Sequence, residues 1–141
     1  MYNPFVSIIV RTKNEDFWIG KCLNEIFNQK YKNFEIILVD NNSKDKTISI
    51  VKKNFPKVKI INYKSKIFLP GKALNLGIKK SKGSLVAMIS GHCIPKNENW
   101  LNNLVQNFKN SVVIACYGRQ EPSDISEPND VRDLMYLFGL D

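Results

Sequence analysis

Short apolar runs rich in β-branched residues alternate with amphipathic stretches along this chain. The first run covers residues 5–11, and the polar residues Thr12 to Glu15 follow it. From Asp16 onward, apolar residues recur at helical spacing as far as about Gln29. The pattern therefore predicts a buried strand, a polar loop and a helix, in that order.

The same alternation continues to the end of the chain. It predicts further strands at residues 34–39, 58–61, 84–89 and 112–117, and further helices at 45–54, 71–81, 98–108 and 131–138. Residues 67–70 and the acidic, proline-containing stretch 120–130 are predicted to be loops, and Gly83 is predicted to cap the helix before it.

Strands that alternate with helices at these spacings predict an α/β fold with a parallel sheet, covered by helices on both faces. The length suits a single domain over residues 1–141. Ligands in such folds bind beyond the carboxyl ends of the strands, where the strand order reverses. The loops at 12–15, 40–43 and 90–93 are therefore the candidate functional site.

Positive charge is concentrated in one segment of the chain. The net charge is +8, and residues 44–82 hold twelve lysines against one acidic residue, Asp45. Such a field attracts an anionic partner, which could be a nucleotide diphosphate, a lipid phosphate, a membrane surface or nucleic acid. The alternative is that these lysines only solvate ordinary helix faces.

The cysteines and the apolar runs indicate the cellular compartment of the protein. The three cysteines are odd in number and far apart, which favours a reducing compartment over a disulfide framework. No apolar run approaches the roughly 18 residues that a membrane span needs, and the first run does not resemble a signal peptide. We therefore expect a cytoplasmic protein.

Two common phosphate-binding motifs are excluded. A P-loop would need a glycine where Lys66 stands and a serine or threonine where Ala73 stands, on either side of the pair Gly71-Lys72. No Gly-x-Gly-x-x-Gly follows the first strand, which excludes a dinucleotide site of the usual type. A cradle of glycine amides is therefore not expected.

The predicted strand ends offer polar side chains instead. Thr12, Asn14 and Glu15 follow the first strand, and residues 40–43 follow the second. Hydroxyls, amides and carboxylates there could pair with the edge of a nucleobase and with ribose hydroxyls. The alternative is that residues 40–45 form only a turn with a helix cap, because Asn, Asp and Ser favour both.

Several linked motifs resemble a known family. They are SIIVRTKNE at residues 7–15, ILVDNNSKD at 37–45, GKALNLG at 71–77, and Gly83 before a strand that ends in ISGHCIP at 89–95. Their order and spacing resemble the family 2 glycosyltransferases of the Rossmann-like GT-A fold. The tract from Tyr117 to Gly139 is similar to a bacterial polysaccharide-synthesis branch of that family.

The resemblance implies transfer of a sugar from a nucleotide-diphosphate-sugar donor to a saccharide or lipid-linked acceptor, in surface polysaccharide or glycolipid synthesis, by inverting displacement. It also implies peripheral membrane association. It places Thr12, Asn14 and Glu15 in the nucleoside pocket, Asp40 at the base, and Lys72 at the base or the diphosphate. The other donor-binding residues that it implies are Asn42, Ser90 and Gly91.

The sequence departs from the family at the motif that normally holds Mg2+ or Mn2+. Where the family has Asp-x-Asp, this chain has Ser90, Gly91 and His92. An imidazole is a poor ligand for Mg2+ but an acceptable one for Mn2+ or Zn2+. Three interpretations of His92 stay open: a metal ligand, a partner of the diphosphate, or a structural residue.

A second departure is length. The family's catalytic base usually lies beyond this length, so the catalytic residue is unknown and the chain is interpreted as the donor-binding half, truncated at its C-terminus. The isolated chain is then expected to be inactive in transfer, and its apolar end at 138–140 is expected to be exposed and to favour a homodimer.

Two other functions are alternatives. One is a catalytically inactive nucleotide-sugar-binding module. The other, nucleic-acid binding through the lysines, is disfavoured because the chain lacks the aromatic and glycine signature of RNA-binding domains and lacks arginine clusters.

Overall fold

Strands and helices alternate in the computed structural model, which describes residues 2–65, 67 and 69–139. The strands are β1 (Val6–Thr12), β2 (Phe34–Asp40), β3 (Lys59–Asn62) and β4 (Leu85–Ser90). The helices are α1 (Ile19–Phe27), α2 (Thr47–Asn54), α3 (Pro70–Lys79), α4 (Trp100–Gln106) and α5 (Pro128–Phe138), and a short 3-10 helix (Asn107–Lys109) follows α4.

The sheet is parallel, with the strand order β3-β2-β1-β4. The chain moves outward from β1 to β3 and then crosses to the opposite side of β1 to form β4. The strand order therefore reverses at β1, whose two neighbours are β2 and β4. This confirms the predicted α/β class and puts the expected ligand position at the carboxyl ends of these three strands.

Helices pack on both faces of the sheet, and successive residues of a strand point to opposite faces. Ile8 and Val10 of β1 point to the face on which α1, α2 and α4 pack, where they join the larger group of buried apolar residues. Ile9 points to the other face and packs with Ala73 of α3. Together these two layers orient the polar residues that follow β1, β2 and β4.

The predicted fifth strand at residues 112–117 is wrong. Residues 112–120 follow an irregular path, and the side chains of Val112 and Ile114 are 81% and 93% exposed. β-branched residues form a strand only where another strand offers an edge to pair with and a surface to pack on. Among the described residues the outer edge of β4 is unpaired, but residues 112–117 neither pair with it nor bury Val112 and Ile114.

The predicted cap at Gly83 is also wrong. Helix α3 ends at Lys79, and the capping residue is Lys80, with a φ of −105°. Gly83 has another role, because a Cβ there would lie 2.4 Å from the backbone nitrogen of Ser7 and 2.7 Å from the carbonyl oxygen of Leu85. The close approach of two backbones at the start of β4 therefore requires glycine at this position.

The other elements agree with prediction to within a few residues at their ends, as is usual for helix and strand boundaries. The last helix begins earlier than predicted, with Pro128 in its first turn. Within the predicted loop at 67–70, Phe68 lies outside the described residues, and so does Leu140 in the predicted apolar end. No helix in the described part of the chain combines the length and apolar character of a membrane span.

Candidate functional site

The pairing of the strands brings the predicted loops to one edge of the sheet. Thr12 at the end of β1 lies opposite Asp40 at the end of β2, and Arg11 lies opposite Ser90 at the end of β4. Helix α3 runs back from this edge, since its Gly77 lies against Ile9 in the middle of β1. The first turn of α3, which carries the exposed Lys72, therefore starts near the same edge.

Hydrogen bonds join the loops that follow β1 and β2. The backbone N–H of Asn14 donates to Ser43 Oγ (2.8 Å), and Asn14 Oδ1 accepts from the N–H of Lys44 (2.8 Å). The N–H of Glu15 donates to Thr47 Oγ1 (2.7 Å). Asn14 has a left-handed backbone with a φ of 54°, which Asn tolerates better than most residues. Its side chain therefore holds the two loops together.

Asp40 is buried, with 3% of its surface exposed. Its Oδ2 accepts the backbone N–H of Ser43 (2.9 Å), and its Oδ1 accepts the Ser43 hydroxyl. This is the turn that the sequence offered as an alternative, although each carboxylate oxygen keeps a further lone pair for a ligand. Asn42, at the tip of the same turn, is exposed and left-handed with a φ of 55°.

Among the described residues, two buried polar atoms at this edge lack a hydrogen-bond partner: the hydroxyl of Thr12 and the amide nitrogen of Asn41. Both residues are 1% exposed. Asn41 Oδ1 accepts the N–H of Ser65 (3.2 Å), which leaves the NH2 group free to donate. Since buried polar groups are almost always paired, the two atoms mark a place where a ligand can complete the bonding.

Asn41 lies in the predicted candidate loop 40–43 but was not among the donor-binding residues that the family resemblance implied, which included its neighbour Asn42. Its backbone N–H donates to Thr12 O (2.9 Å), so the β1–β2 pairing extends one residue beyond β2. Successive side chains of a strand alternate between the two faces of a sheet. If β2 is continued past Asp40, Asn41 falls on the same buried face as Ile37 and Val39, so the sequence pattern could have predicted its burial.

The loop after β4 packs tightly on the end of β1. The N–H of Gly91 donates to Arg11 O (2.9 Å). A Cβ at position 91 would lie 3.0 Å from Thr12 Oγ1 and 3.3 Å from Thr12 Cβ, which is closer than side chains normally pack, and 3.4 Å from Glu15 Cγ. The small size of Gly91 therefore lets this loop approach Thr12 and Glu15, and it places the next residue, His92, beside Glu15.

His92 and Glu15 form the most direct contact between the two loops. His92 Nδ1 lies 2.8 Å from Glu15 Oε1, and the His92 side chain is 48% exposed while that of Glu15 is 18% exposed. A hydrogen bond with Cys93 and the interactions with Glu15 raise the pKa of His92 to about 9, although partial burial opposes them. Such an imidazole is protonated at neutral pH and carries a positive charge.

The two cysteines near this loop differ in ionisation. Cys22 of α1 is buried and lies 3.8 Å from the carbonyl oxygen of Ser90, and burial raises the pKa of its thiol to about 12. The hydrogen bond with His92 lowers the pKa of the Cys93 thiol from its ordinary value. The fold therefore makes the Cys22 thiol harder to ionise and the Cys93 thiol easier to ionise.

The residues present do not fit a resident divalent cation. In residues 2–65, 67 and 69–139, no three histidine, cysteine, aspartate or glutamate side chains are grouped so that they could hold a metal. Ser90 is 8% exposed, Gly91 has no side chain, and the ring nitrogen of His92 that faces Glu15 is already bonded. Mg2+ and Mn2+ prefer several oxygen ligands, which these positions do not supply.

A groove of about 1150 Å3 adjoins this edge of the sheet. It runs from Ser90 and His92 along β4 and α4 to residues 116–137, and apolar side chains supply much of its wall. The groove therefore places a large open volume directly beside the His92 side chain.

The comparisons with known proteins point to one family. The family model described as glycosyl transferase family 2 matches residues 7–138. A curated relative from Methanococcus voltae, dolichyl N-acetyl-alpha-D-glucosaminyl phosphate 3-beta-D-2,3-diacetamido-2,3-dideoxy-beta-D-glucuronosyltransferase, is 38% identical over 108 residues. That match covers 71% of this chain and 33% of the relative.

Solved structures agree on the fold. The mannosyltransferase PcManGT from Pyrobaculum calidifontis, in complex with GDP-Man and Mn2+, matches with a TM-score of 0.75 and 24% identity, over 96% of this chain and 39% of that one. S. aureus TarS 1-349 in complex with UDP-GlcNAc matches with a TM-score of 0.69 and 25% identity, over 86% and 38%. The predicted GT-A fold is confirmed.

The chain is shorter than the curated relatives that it matches. The chain spans 33% to 45% of the first three curated relatives. The match to the family model, over residues 7–138, takes in β1 from its second residue, all of β2 to β4 and the polar edge described above.

Proposed function

Because the chain belongs to glycosyl transferase family 2, we propose that its polar edge is the donor site of a transferase that uses a nucleotide-diphosphate sugar. In the reaction, an acceptor hydroxyl oxygen forms a bond to the anomeric carbon of the sugar, with inversion. The bond from that carbon to the diphosphate breaks, and its electron pair leaves with the diphosphate. The hydroxyl proton passes to a general base, to which we assign no residue.

The observation that carries this proposal is the pair of buried, unpartnered polar atoms, Thr12 Oγ1 and Asn41 Nδ2. They lie at the carboxyl edge of the sheet, where β1 and β2 end side by side. A nucleoside offers hydrogen-bonding groups on its base and ribose that suit a hydroxyl and an amide donor. Binding would therefore satisfy both atoms.

The remaining predicted donor-binding residues have different proposed roles. Asp40 can accept a base N–H with its free lone pairs, while Asn14 holds the loops and Asn42 lines the rim. Lys72 supplies positive charge from the first turn of α3. Ser90 and Gly91 form the floor on which the diphosphate would lie, and the groove beside His92 offers space for the sugar and acceptor.

The pathway is a further part of the proposal. The name of the M. voltae relative describes transfer onto a dolichyl-linked sugar phosphate, which supports a lipid-linked or saccharide acceptor for this chain as well. We therefore propose a role in surface polysaccharide or glycolipid synthesis. The lysines of residues 44–82 would favour work at an anionic membrane surface.

Calorimetric titration with UDP, GDP and dTDP, each with and without Mn2+, tests the donor site. We expect one of them to bind, and we expect Thr12→Val to weaken that binding about tenfold, the usual cost of one lost hydrogen bond in a buried site. Valine has the shape of threonine, and the Thr12 hydroxyl has no hydrogen-bond partner in the part of the chain that the structure describes, so the variant should fold normally.

Ser49→Ala is the matched control, because Ser49 is exposed on α2 and its hydroxyl bonds only to Lys46 O (2.8 Å). Its affinity should equal that of the unmodified protein. If none of the three nucleotides binds under either condition, or if Thr12→Val binds as tightly as the control, the proposed donor site is wrong.

A further inference from the structure

The side chains at residues 90–92 define what this site can offer to a diphosphate. They supply one largely buried hydroxyl, no side chain at Gly91 and one imidazole. The carboxylate of Glu15 contacts these residues, and it bonds to the imidazole. A metal ion between Glu15 and His92 would require this contact of 2.8 Å to open.

The contact with Glu15 determines that Nδ1 of the imidazole carries a hydrogen. A carboxylate only accepts hydrogen bonds, so His92 Nδ1 must carry the hydrogen that lies between them. In the protonated ring, Nε2 also carries a hydrogen that a ligand oxygen can accept. The ring therefore presents a charged N–H group, and 48% of the side chain is open to solvent and to the groove.

The fold holds this group in place from two sides. The hydrogen bond from Gly91 N–H to Arg11 O ties the loop to β1, and the close packing of Gly91 on Thr12 sets the height of the loop above the sheet. Glu15 is tied in turn through its N–H to Thr47 of α2. His92 is thus oriented before any ligand binds, which lowers the entropic cost of binding.

We propose that the His92 imidazole, oriented by Glu15, binds the donor diphosphate directly, so that nucleotide-diphosphate binding at this site requires no divalent cation. This inference rests on the proposed donor site. It assigns to a fixed cationic side chain the charge neutralisation that a metal ion supplies elsewhere. Lys72 and the lysine-rich segment add positive potential for the same anion.

The test measures the affinity of the nucleotide that binds best, in EDTA and in Mn2+, for the unmodified protein and for His92 variants. We expect the dissociation constants in EDTA and in Mn2+ to agree within about threefold. His92→Ala should weaken binding at least about tenfold in both conditions, as expected for a lost charge-assisted hydrogen bond. His92→Asp should bind weakly in EDTA and recover with Mn2+, because it places a second carboxylate beside Glu15.

A second measurement does not depend on variants. In EDTA, addition of the nucleotide should shift the His92 ring signals in a proton–nitrogen NMR spectrum and the phosphorus signals of the diphosphate. His92 is the only histidine in the chain, so its signals need no assignment. Ser49→Ala should show the same shifts as the unmodified protein.

The outcomes separate the two proposals. Nucleotide binding that appears only with Mn2+ would overturn the metal-free site and leave the donor site standing. Binding in EDTA that is unchanged in His92→Ala, with unmoved His92 signals, would also overturn it. If no nucleotide binds in either condition, both proposals are wrong.

Discussion

Gly77 of α3 lies so close to Ile9 of β1 that a Cβ at position 77 would be 2.4 Å from Ile9 Cγ2. The same Cβ would be 3.1 Å from Val39 Cγ2, and both neighbours are 0% exposed. The missing side chain at Gly77 thus lets α3 rest directly on the sheet. Through this contact the packing of the core sets the position of Lys72, five residues earlier on the same helix.

Gly77→Ala should therefore lower the free energy of unfolding by about 1–2 kcal/mol. Overpacking a core costs about 1–3 kcal/mol, and this outweighs the gain of up to about 1 kcal/mol in helix propensity. Urea denaturation measures the change. Gly71→Ala is the control, because nothing lies within 4 Å of a Cβ there, and it should leave stability unchanged or raised. Equal effects of the two substitutions would contradict the packing argument.

Gln29 is fully buried and connects the end of α1 to the start of α4. Its amide nitrogen donates to Asn97 O (2.8 Å) and Glu25 O (3.0 Å), and its Oε1 accepts the N–H of Leu101 (2.9 Å). Gln29→Leu would leave buried backbone groups unpaired, so we expect a loss of about 2–4 kcal/mol in urea denaturation.

Gln106→Leu is the matched control for Gln29→Leu. Gln106 is only partly buried, and its amide bonds to the side chain of Asn102 (3.1 Å). This variant should change stability by less than about 0.5 kcal/mol. A loss at Gln29 no larger than the loss at Gln106 would show that the buried bonds contribute little.

His92 should titrate far above the usual range for histidine. Its pKa is raised to about 9 from 6.5, by the hydrogen bond with Cys93 and the interactions with Glu15. A raised folded-state pKa contributes stability that is complete below pH 6.5 and is lost as the pH rises through about 9. NMR titration of the His92 ring measures the pKa directly.

Glu15→Gln removes the charge but keeps an acceptor, and it should lower the pKa of His92. Thermal unfolding should then depend less on pH between about 7 and 10 than in the unmodified protein. A pKa of His92 near 6.5 in both proteins would refute the coupling between Glu15 and His92.

Cys93 and Cys22 should react with iodoacetamide at different rates. Cys93 is partly exposed and its thiol pKa is lowered by the bond with His92, whereas burial raises the pKa of Cys22 to about 12. Because the thiolate is the reactive form, Cys93 should be alkylated at least about tenfold faster than Cys22 at pH 7.5, as followed by peptide mass spectrometry.

His92→Ala should slow alkylation of Cys93 and leave that of Cys22 unchanged, since the pKa of the Cys93 thiol is lowered by His92 whereas the pKa of Cys22 is set mainly by burial. Unfolding in urea should remove the difference between the two cysteines. If Cys22 reacts as fast as Cys93 in the folded protein, the proposed difference in ionisation is wrong.

The sequence alone predicted the features that depend on local periodicity. Strands β1 to β4 and the helices between them follow from two-residue and 3.6-residue patterns, and their alternation implies a parallel sheet. The switch point then placed Thr12, Asp40 and Ser90 at one edge, as the strand pairing confirms. These conclusions hold because each depends on neighbours in the chain and on general rules of chain connection.

Tertiary structure alone decided the features that depend on a partner distant in the chain. Residues 112–117 have the composition of a strand, yet among the described residues they pair with neither outer strand of the sheet, β3 or β4. Gly83 has the position of a helix cap, but the backbone of Ser7 determines its role. Glu15 and His92 are 77 residues apart, and only the meeting of two strand ends makes them a pair. Such contacts depend on packing geometry, which no local pattern of residues encodes.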